Sequence, residues 1–274
     1  MTRLAPLALG LCLFAPLAAA AASTGFKASQ QQKSPRVRQS FENQSQKVRR
    51  LFADRGLAYP PRAIYLRAFK QEGVLELWGQ GREGERFELV TSWPICARSG
   101  TLGPKRRQGD LQVPEGFYEL VHFNPASHYH LSLGVSYPNR SDRILGGAGA
   151  LGGAIYVHGD CVTIGCLPLG DEVIEQLYVA AVEARDAGQA QIPIDLFPAR
   201  LTDAKLADLS RAFDDRPELL RFWANLKEGF ELFERTRALP CACVAKDGRY
   251  RFGEACGAAK STSTRKPSRC RDTR

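Results

Sequence analysis

The sequence predicts an α+β protein with a β-rich core followed by helices, and three observations support this prediction. Short apolar segments between residues 62 and 158 are separated by Gly-containing turns, a pattern typical of an antiparallel meander. After residue 166 the apolar residues recur with the helical period. The 274 residues are enough for one large, well-buried domain between two terminal tails.

A signal peptide is predicted over residues 1–22. One arginine, Arg3, precedes an apolar run from Leu4 to Leu17, and small residues follow at 18–23, as signal peptidase requires. The run is shorter than the roughly 20 apolar residues of a transmembrane helix. We therefore expect a periplasmic or otherwise exported protein without a transmembrane segment.

A basic linker and a short helix are expected over residues 23–61. Residues 23–45 have few apolar side chains and are predicted to remain unpacked, whereas Val48 and Phe52 would share one face of a helix spanning 41–57. The formal charge of +9 is concentrated in the two ends of the chain. Because nucleic acid is not expected as the partner of an exported chain, these ends are either solvated tails or attach to an anionic envelope surface.

The body of the chain is predicted to form one domain over residues 62–237, followed by a Cys-containing basic tail over 238–274. Six strands are expected, at 62–69, 73–80, 85–93, 116–121, 129–133 and 154–158. Three helices follow: one capped by Asp171 and ended by Gly188, then 203–213 and 217–237.

The chain has eight cysteines, of which Cys12 lies within the predicted signal peptide. The others would reach an oxidising compartment, where thiols pair, and their odd number leaves at least one free. Four lie near the C-terminus and are expected to pair with one another: Cys241, Cys243, Cys256 and Cys270. Three lie in the body, where one stays free if the other two pair: Cys96, Cys161 and Cys166.

The stretch HGDCVTIGC, which ends at Cys166, admits three interpretations. His158 could join His128 and His130, which have the spacing of some zinc sites, in a zinc peptidase. Cys161 and Cys166 could form a disulfide. Alternatively, Cys166 is a nucleophile, because it follows a glycine just before a helix, where backbone N–H groups favour a thiolate and stabilise an oxyanion. His158, at the end of a strand, would then be its general base.

The motifs in this region resemble those of a known enzyme family. His158-Gly159 followed by Thr163-Ile164-Gly165-Cys166 resembles the His-Gly and Ser/Thr-x-Gly-Cys signature of L,D-transpeptidase catalytic domains of the YkuD type. The segment PICARSGTLGPKRRQGDLQVPEGFYEL is similar to the Gly-Lys and Thr-Pro-x-Gly-x-Tyr element of that family. With LGVSYPNRSDR and FWANLKEGFELFE, the resemblance is strongest to the YafK-like branch, and it covers roughly residues 63–237.

This resemblance implies a β-sandwich-like catalytic domain over residues 62–237 that uses no metal or other cofactor. Cys166 matches the nucleophile, which attacks the carbonyl of a diaminopimelate residue in a peptidoglycan stem peptide, and His158 matches the base. A disulfide between Cys96 and Cys161 would leave Cys166 free. Four further residues match positions that shape the turn, position substrate or complete an oxyanion site: Gly159, Thr163, Gly165 and Tyr137, the last of which also suits a core position.

The sequence also departs from the family pattern. The interval from His158 to Cys166 is short, Ile164 stands where the family often has His, and Leu167-Pro168 lacks the Arg that often follows the cysteine. These differences point to altered recognition of the donor peptide. The YafK-like branch includes an enzyme that detaches outer-membrane lipoprotein from peptidoglycan. Together with these differences, the resemblance to that branch implies hydrolytic release of wall-linked lipoprotein, with the formation of cross-links or protein attachments as the alternative. A zinc peptidase and a non-catalytic envelope-binding module are the alternatives.

Overall fold

The structure is a computed structural model that describes residues 25–82 and 84–253. The predicted signal peptide and the tail beyond residue 253 lie outside these ranges. The described helices are α1 (Ala28–Gln31), α2 (Pro35–Ala53), α3 (Arg140–Leu145), α4 (Asp171–Asp186), α5 (Asp203–Ala212) and α6 (Pro217–Thr236). The described strands are β1 (Ala63–Phe69), β2 (Val74–Gln80), β3 (Glu88–Pro94), β4 (Gly116–Asn124), β5 (Ser132–Val135), β6 (Tyr156–His158), β7 (Leu167–Pro168), β8 (Ile192–Phe197), β9 (Ala242–Val244) and β10 (Tyr250–Phe252). None of the described helices is both long and apolar enough to cross a membrane.

Eight strands form one curled, mixed sheet in the order β3-β2-β1-β8-β4-β5-β6-β7. The first three strands are antiparallel, as the meander pattern predicts. β8 lies between β1, to which it is parallel, and β4, to which it is antiparallel. β5 and β6 continue the antiparallel pairing, and β7 is added parallel to β6. With its flanking helices, this sheet confirms the predicted β-rich α+β fold class.

Helices cover both faces of the sheet. On one face, α2 and α4 belong to the same apolar cluster as Ile64 and Leu66 of β1. On the other face, Trp223 and Phe230 of α6 pack in a second cluster with Phe69 of β1. Alternate residues of β1 thus reach opposite faces, as strand geometry requires. The sheet is therefore a buried central layer. The loops and the short strands β6 and β7, at one edge of the sheet, remain available to form a functional site.

A buried ionic network, named the Arg67 cluster, lies between the sheet and α6. Arg67 Nη2 is 2.8 Å from Glu76 Oε2, and these two side chains are 1% and 3% exposed. Glu234 Oε1 accepts a hydrogen bond from Arg67 Nη1 at 2.7 Å. Glu76 also receives the indole N–H of Trp78 at 2.8 Å and pairs with Arg200 at 2.6 Å. Each buried charge at the centre of this cluster therefore has an opposite charge within hydrogen-bonding distance.

α2 extends further toward the N-terminus than predicted, so the expectation that residues 23–45 are unpacked is wrong. The helix begins at Pro35, a residue suited to the first turn. It buries Val37 completely, and Gln44 donates a hydrogen bond to Glu175 of α4 at 3.2 Å. Polar side chains occupy part of the face of α2 that packs against the domain. The apolar content of this segment is therefore low, and its sequence lacks the complete apolar period that predicts a helix.

The central strand β8 is absent from the sequence prediction, which also places no helix at α3. All six residues of β8 are buried. A strand buried on both faces has no alternation of polar and apolar residues, and its apolar run cannot be distinguished from a piece of buried helix. The predicted cap of α4 also differs, because Gly170 is the N-cap and the Asp171 carboxylate instead accepts the backbone N–H of Asp160 at 2.8 Å.

Part of the predicted tail, 238–274, packs on the domain as the hairpin of β9 and β10. Tyr250 is buried, and its backbone exchanges two hydrogen bonds with the Asn225 side chain, at 2.7 and 2.9 Å. Cys243 is a free thiol, so the expectation that all four C-terminal cysteines pair with one another is wrong. Within the hairpin, Arg251 is the cross-strand neighbour of Cys243, so no cysteine of the described residues faces it there.

Candidate active site

A tight turn sets the position of Cys166 at the start of β7. The Thr163 hydroxyl oxygen accepts the backbone N–H of Gly165 at 3.2 Å and that of Cys166 at 2.9 Å. The same hydroxyl donates to the Cys166 carbonyl at 2.9 Å. Gly165 has a φ of 130°, and a Cβ there would lie 3.0 Å from the Gln112 carbonyl oxygen. The Thr-x-Gly-Cys motif is therefore a hydrogen-bonded unit that holds the cysteine backbone in one geometry.

The two N–H groups of this turn are engaged by Thr163. This differs from the expectation that they would be available to an oxyanion. The reason is that the threonine side chain folds back onto the turn that it precedes, as Ser and Thr side chains commonly do.

The pairing of β6 with β7 brings His158 and Cys166 to neighbouring positions in the sheet. His158 lies opposite Pro168 in the parallel ladder, so Cys166, directly before β7, comes opposite Tyr156. The Tyr156 backbone N–H lies within hydrogen-bonding reach of the Cys166 sulfur. Because side chains alternate along a strand, Cys166 and His158 share one side of the sheet as diagonal neighbours.

The environment of His158 selects its tautomer. The ring is 2% exposed, and Nδ1 lies 2.5 Å from the Gly159 carbonyl oxygen. A carbonyl can only accept, so Nδ1 carries the proton and Nε2 is the basic nitrogen. Burial lowers the pKa of His158 below its ordinary value of 6.5, although the Gly159 carbonyl and Asp160 oppose that shift. At neutral pH the imidazole is therefore neutral and able to accept a proton.

Cys166 is a half-buried free thiol. Burial raises its pKa above the ordinary value of 9.0, while the Tyr156 N–H and the charge of Lys105 act in the opposite direction. The thiol donates to the Ala154 carbonyl across 3.6 Å rather than to His158. The two groups are therefore a neutral thiol and a neutral imidazole, and proton transfer requires the thiol to exchange Ala154 for His158 Nε2.

The structure joins Cys96 and Cys161 by a disulfide, with their Cα atoms 5.5 Å apart. The Cys96 backbone N–H also donates to the Pro168 carbonyl at 3.0 Å. Cys96 belongs to the segment between β3 and β4, and Cys161 to the loop that leads to Cys166. The disulfide therefore ties a second loop to the segment that carries Cys166.

A cavity of about 320 Å³ adjoins Cys166. Its floor includes Ala68 and Leu196 of the sheet, and one wall is formed by the segment between β3 and β4. Cavities of this volume are large enough for a small ligand or for one amino-acid side chain. The thiol thus borders a space that a substrate group can enter.

Two other predicted positions make structural contacts. A Cβ on Gly159 would lie 2.6 Å from a carboxylate oxygen of Asp171, so this site requires the absence of a side chain. The buried Tyr137 hydroxyl lies 3.3 Å from the Lys105 carbonyl and 3.2 Å from the Leu151 carbonyl. Tyr137 thereby connects two loops near the site, and its role toward a substrate stays a prediction.

The histidines of the zinc interpretation lie in separate environments. His130 Nε2 is 2.8 Å from a carboxylate oxygen of Glu175, His128 is exposed, and His158 bonds Gly159. Within 25–82 and 84–253, no group of three or more His, Cys, Asp and Glu side chains is arranged to hold a metal ion.

The charged residues near the Cys166 thiol were not identified from the sequence. Lys105 is 5% exposed and pairs with Asp110 at 2.6 Å. The spacing of these residues in a Gly-rich loop was visible within the family motif. Their proximity to Cys166, however, depends on how the segment between β3 and β4 folds back over the sheet.

Comparison with proteins of known sequence finds two relatives that carry the same name. No family model matches the chain. The chain is 36% identical over 190 residues to "Putative L,D-transpeptidase YafK" of Escherichia coli strain K12, covering 68% of this chain and 72% of that protein. The same figures hold for the protein of that name from Escherichia coli O157:H7.

Solved structures with detectable similarity are more distant. The helical cell shape determining protein Pgp2 from Campylobacter jejuni is 18% identical, with a TM-score of 0.41, and the match covers 67% of this chain and 73% of that one. Mycobacterium tuberculosis L,D-transpeptidase 1 is 17% identical, with a TM-score of 0.28, and the match covers 49% of this chain and 61% of that one.

Proposed function

Because the chain belongs to the L,D-transpeptidase family, we propose that it is an exported cysteine acyl-transfer enzyme that acts on diaminopimelate in peptidoglycan stem peptides. The observation that carries this proposal is the free thiol of Cys166 at the edge of a cavity, on the side of the sheet that bears His158. The orientation of His158 by the Gly159 carbonyl supports its role as the base.

The first half of the reaction forms a thioester. As Cys166 Sγ bonds to the diaminopimelate carbonyl carbon, its proton moves to His158 Nε2. The tetrahedral intermediate then collapses, the bond between the carbonyl carbon and the amine nitrogen breaks, and His158 returns the proton to the leaving amine. The Cys166 backbone stays fixed by Thr163 during both steps, which limits the movement to the side chain.

The second half of the reaction determines the product. We propose that water, rather than an amine, attacks the thioester, so that lipoprotein attached to diaminopimelate is released by hydrolysis. Water transfers its proton to His158 Nε2, the bond from carbon to sulfur breaks, and the thiol regains the proton. Leu167, at the position after the nucleophile, is 1% exposed and presents no cation, which supports an altered donor site.

Formation of cross-links or protein attachments is the second candidate, since an amine acceptor would resolve the same thioester. The experiment that separates the two is incubation of the purified mature protein with lipoprotein-linked muropeptide in ¹⁸O-labelled water, with and without an amine acceptor. Products are identified by mass spectrometry.

Hydrolysis predicts free muropeptide with one ¹⁸O atom in the new carboxylate when no acceptor is present. The Cys166→Ala variant must yield none. Uncleaved lipoprotein conjugate, together with new diaminopimelate cross-links from tetrapeptide substrates, would instead establish transpeptidation. Full activity of Cys166→Ala would refute thiol catalysis altogether.

A further inference from the structure

The cations near Cys166 differ in whether their charge is already neutralised. Lys70, which lines the cavity, pairs with Glu115 at 3.0 Å. Lys105 pairs with Asp110 at 2.6 Å. Arg98 also lines the cavity, yet no carboxylate in the described ranges forms an ion pair with it. Arg98 is therefore the lining cation whose charge is still available to a ligand.

Backbone contacts hold the Arg98 guanidinium in place. Its Nη1 donates to the Gln71 carbonyl at 3.2 Å and its Nη2 to the Glu72 carbonyl at 3.1 Å. The group lies against Gly73, where a Cβ would collide with Nη2. A guanidinium has five N–H donors, so these two bonds fix its orientation while leaving further donors unused.

The rest of the cavity wall suits an aliphatic chain. Apolar side chains contribute much of the lining, and neither Asp nor Glu is part of it: the apolar members include Ile95, Leu102, Val113, Leu167 and Leu196. An apolar space whose rim carries an exposed arginine, with no carboxylate partner among the described residues, fits an aliphatic group that has a carboxylate at its end. The ammonium group that diaminopimelate bears on the same carbon can remain in water at this exposed rim. Carboxylates match the planar donor fork of arginine in both charge and geometry.

We propose that Arg98 binds the free carboxylate at the end of the diaminopimelate side chain while Cys166 attacks the carbonyl of the same residue. This inference rests on the proposed function, because it assigns the cavity to the acyl donor. Arg98 would thereby make the enzyme selective for diaminopimelate with an ionised side chain over the residue in which that carboxylate is an amide.

Binding to the full mature Cys166→Ala protein tests this role without requiring turnover. Two synthetic stem peptides are compared by calorimetry, identical except that the side-chain carboxylate of diaminopimelate is free in one and amidated in the other. The α-carbonyl is an amide in both. We expect the free carboxylate to bind about 5-fold more tightly, the upper range for an ion pair with an exposed arginine.

Adding Arg98→Gln should bring this ratio close to one, and Arg98→Lys should restore part of it. Arg221→Ala is the matched control, since Arg221 is an exposed arginine on α6 that does not line the cavity, and it should leave the ratio unchanged. A ratio that Arg98→Gln does not change, no preference before that substitution, or no binding of either peptide overturns the inference.

Turnover of both peptides by the protein with Cys166 intact is measured separately. A protein that discriminates by binding through Arg98 but cleaves neither peptide would keep the inference and refute the proposed function. A protein that cleaves both peptides at rates that Arg98→Gln does not alter would keep the proposed function and refute the inference about Arg98.

Discussion

The Arg67 cluster and the pair of Cys166 with His158 both contain buried polar groups, but they are built in opposite ways. In the Arg67 cluster the charges lie on β1, β2, α6 and the segment between β8 and α5, and ion pairs of 2.6 to 2.8 Å neutralise them. At Cys166 and His158 burial acts against ionisation of both groups. Neither forms an ion pair in the part of the chain that the structure describes.

This difference separates structural from chemical use of polar residues. A fully paired buried charge has little freedom, and removal of one partner leaves the other uncompensated. A neutral thiol near a neutral imidazole has no charge to compensate, so changing it should cost little stability, whereas under the proposed function it removes the reactive group. The comparison therefore predicts that activity and stability respond to different residues.

The largest effect is expected at the nucleophile. Cys166→Ala should reduce turnover of a diaminopimelate-linked substrate by at least about 10⁴-fold, because no other group supplies the thioester. Its midpoint of urea unfolding should stay close to that of the parent protein. A large loss of stability together with the loss of activity would contradict the prediction that activity and stability depend on different residues, because it would show that Cys166 has a structural role.

The second effect is on stability. Glu76→Ala should lower the free energy of unfolding by about 3 to 5 kcal/mol, because it leaves Arg67 buried without the more buried of its two carboxylate partners. Urea denaturation provides the measurement. The control is Glu228→Ala, which removes an exposed pair with Arg249 at 3.5 Å and should cost less than about 1 kcal/mol. Equal losses in the two variants would contradict the structural role of the cluster.

The third effect concerns the base. His158→Gln should reduce turnover about 10²-fold or more, the usual contribution of general-base assistance, with native circular dichroism. His130→Gln should have a much smaller effect, because His130 bonds Glu175 rather than facing the thiol. A similar collapse in both variants would favour the zinc interpretation instead.

The fourth effect tests whether the C-terminal hairpin belongs to the domain. The buried Tyr250 hydroxyl accepts a hydrogen bond from the Asn139 amide at 2.7 Å, so Tyr250→Phe should destabilise the protein by about 1 kcal/mol. Urea denaturation again measures the change. No loss of stability would mean that the hairpin contributes little, as the prediction of a tail over 238–274 implied.

The smallest effect is the pH dependence near neutrality. The pKa of His158 is lowered below 6.5, so the imidazole is already mostly neutral at pH 7, and kcat/KM should change less than about twofold between pH 7 and 8. Activity should fall only below pH 6.5. Stability should follow the same direction, because a lowered folded-state pKa contributes stability above 6.5 that is lost as pH falls. A rate that falls steeply from pH 8 to 7 would contradict a neutral base.

Sequence patterns predicted the parts of the molecule that one strand or helix determines by itself. The meander of β1 to β3 and the helices α4, α5 and α6 follow from periodicity alone, and the fold class follows from their order. The choice of a pair formed by His158 and Cys166 over a zinc site or a disulfide required a family resemblance, because their placement depends on a parallel register between two very short strands. The partners of these groups were not predictable, since the Ala154 and Gly159 carbonyls are backbone atoms that every residue possesses.

The packed polar face of α2 and the wholly apolar β8 were missed for opposite reasons. Gln44 is buried because its amide reaches Glu175, a partner more than a hundred positions away in the sequence. Ile192 and its neighbours in β8 are buried on both sides, so their pattern holds no information about which faces they contact. In both cases the missing information lies in contacts between distant parts of the chain.

The position of β8 has a consequence for when the protein can fold. Among the described strands, β8 alone joins β1 to β4, so the sheet consists of two unconnected halves until residue 197 is available. A chain that is still being synthesised or threaded through a membrane pore lacks this connection, and closure of the sheet is a late event of high contact order. The domain should consequently remain unfolded until nearly all of its residues are available.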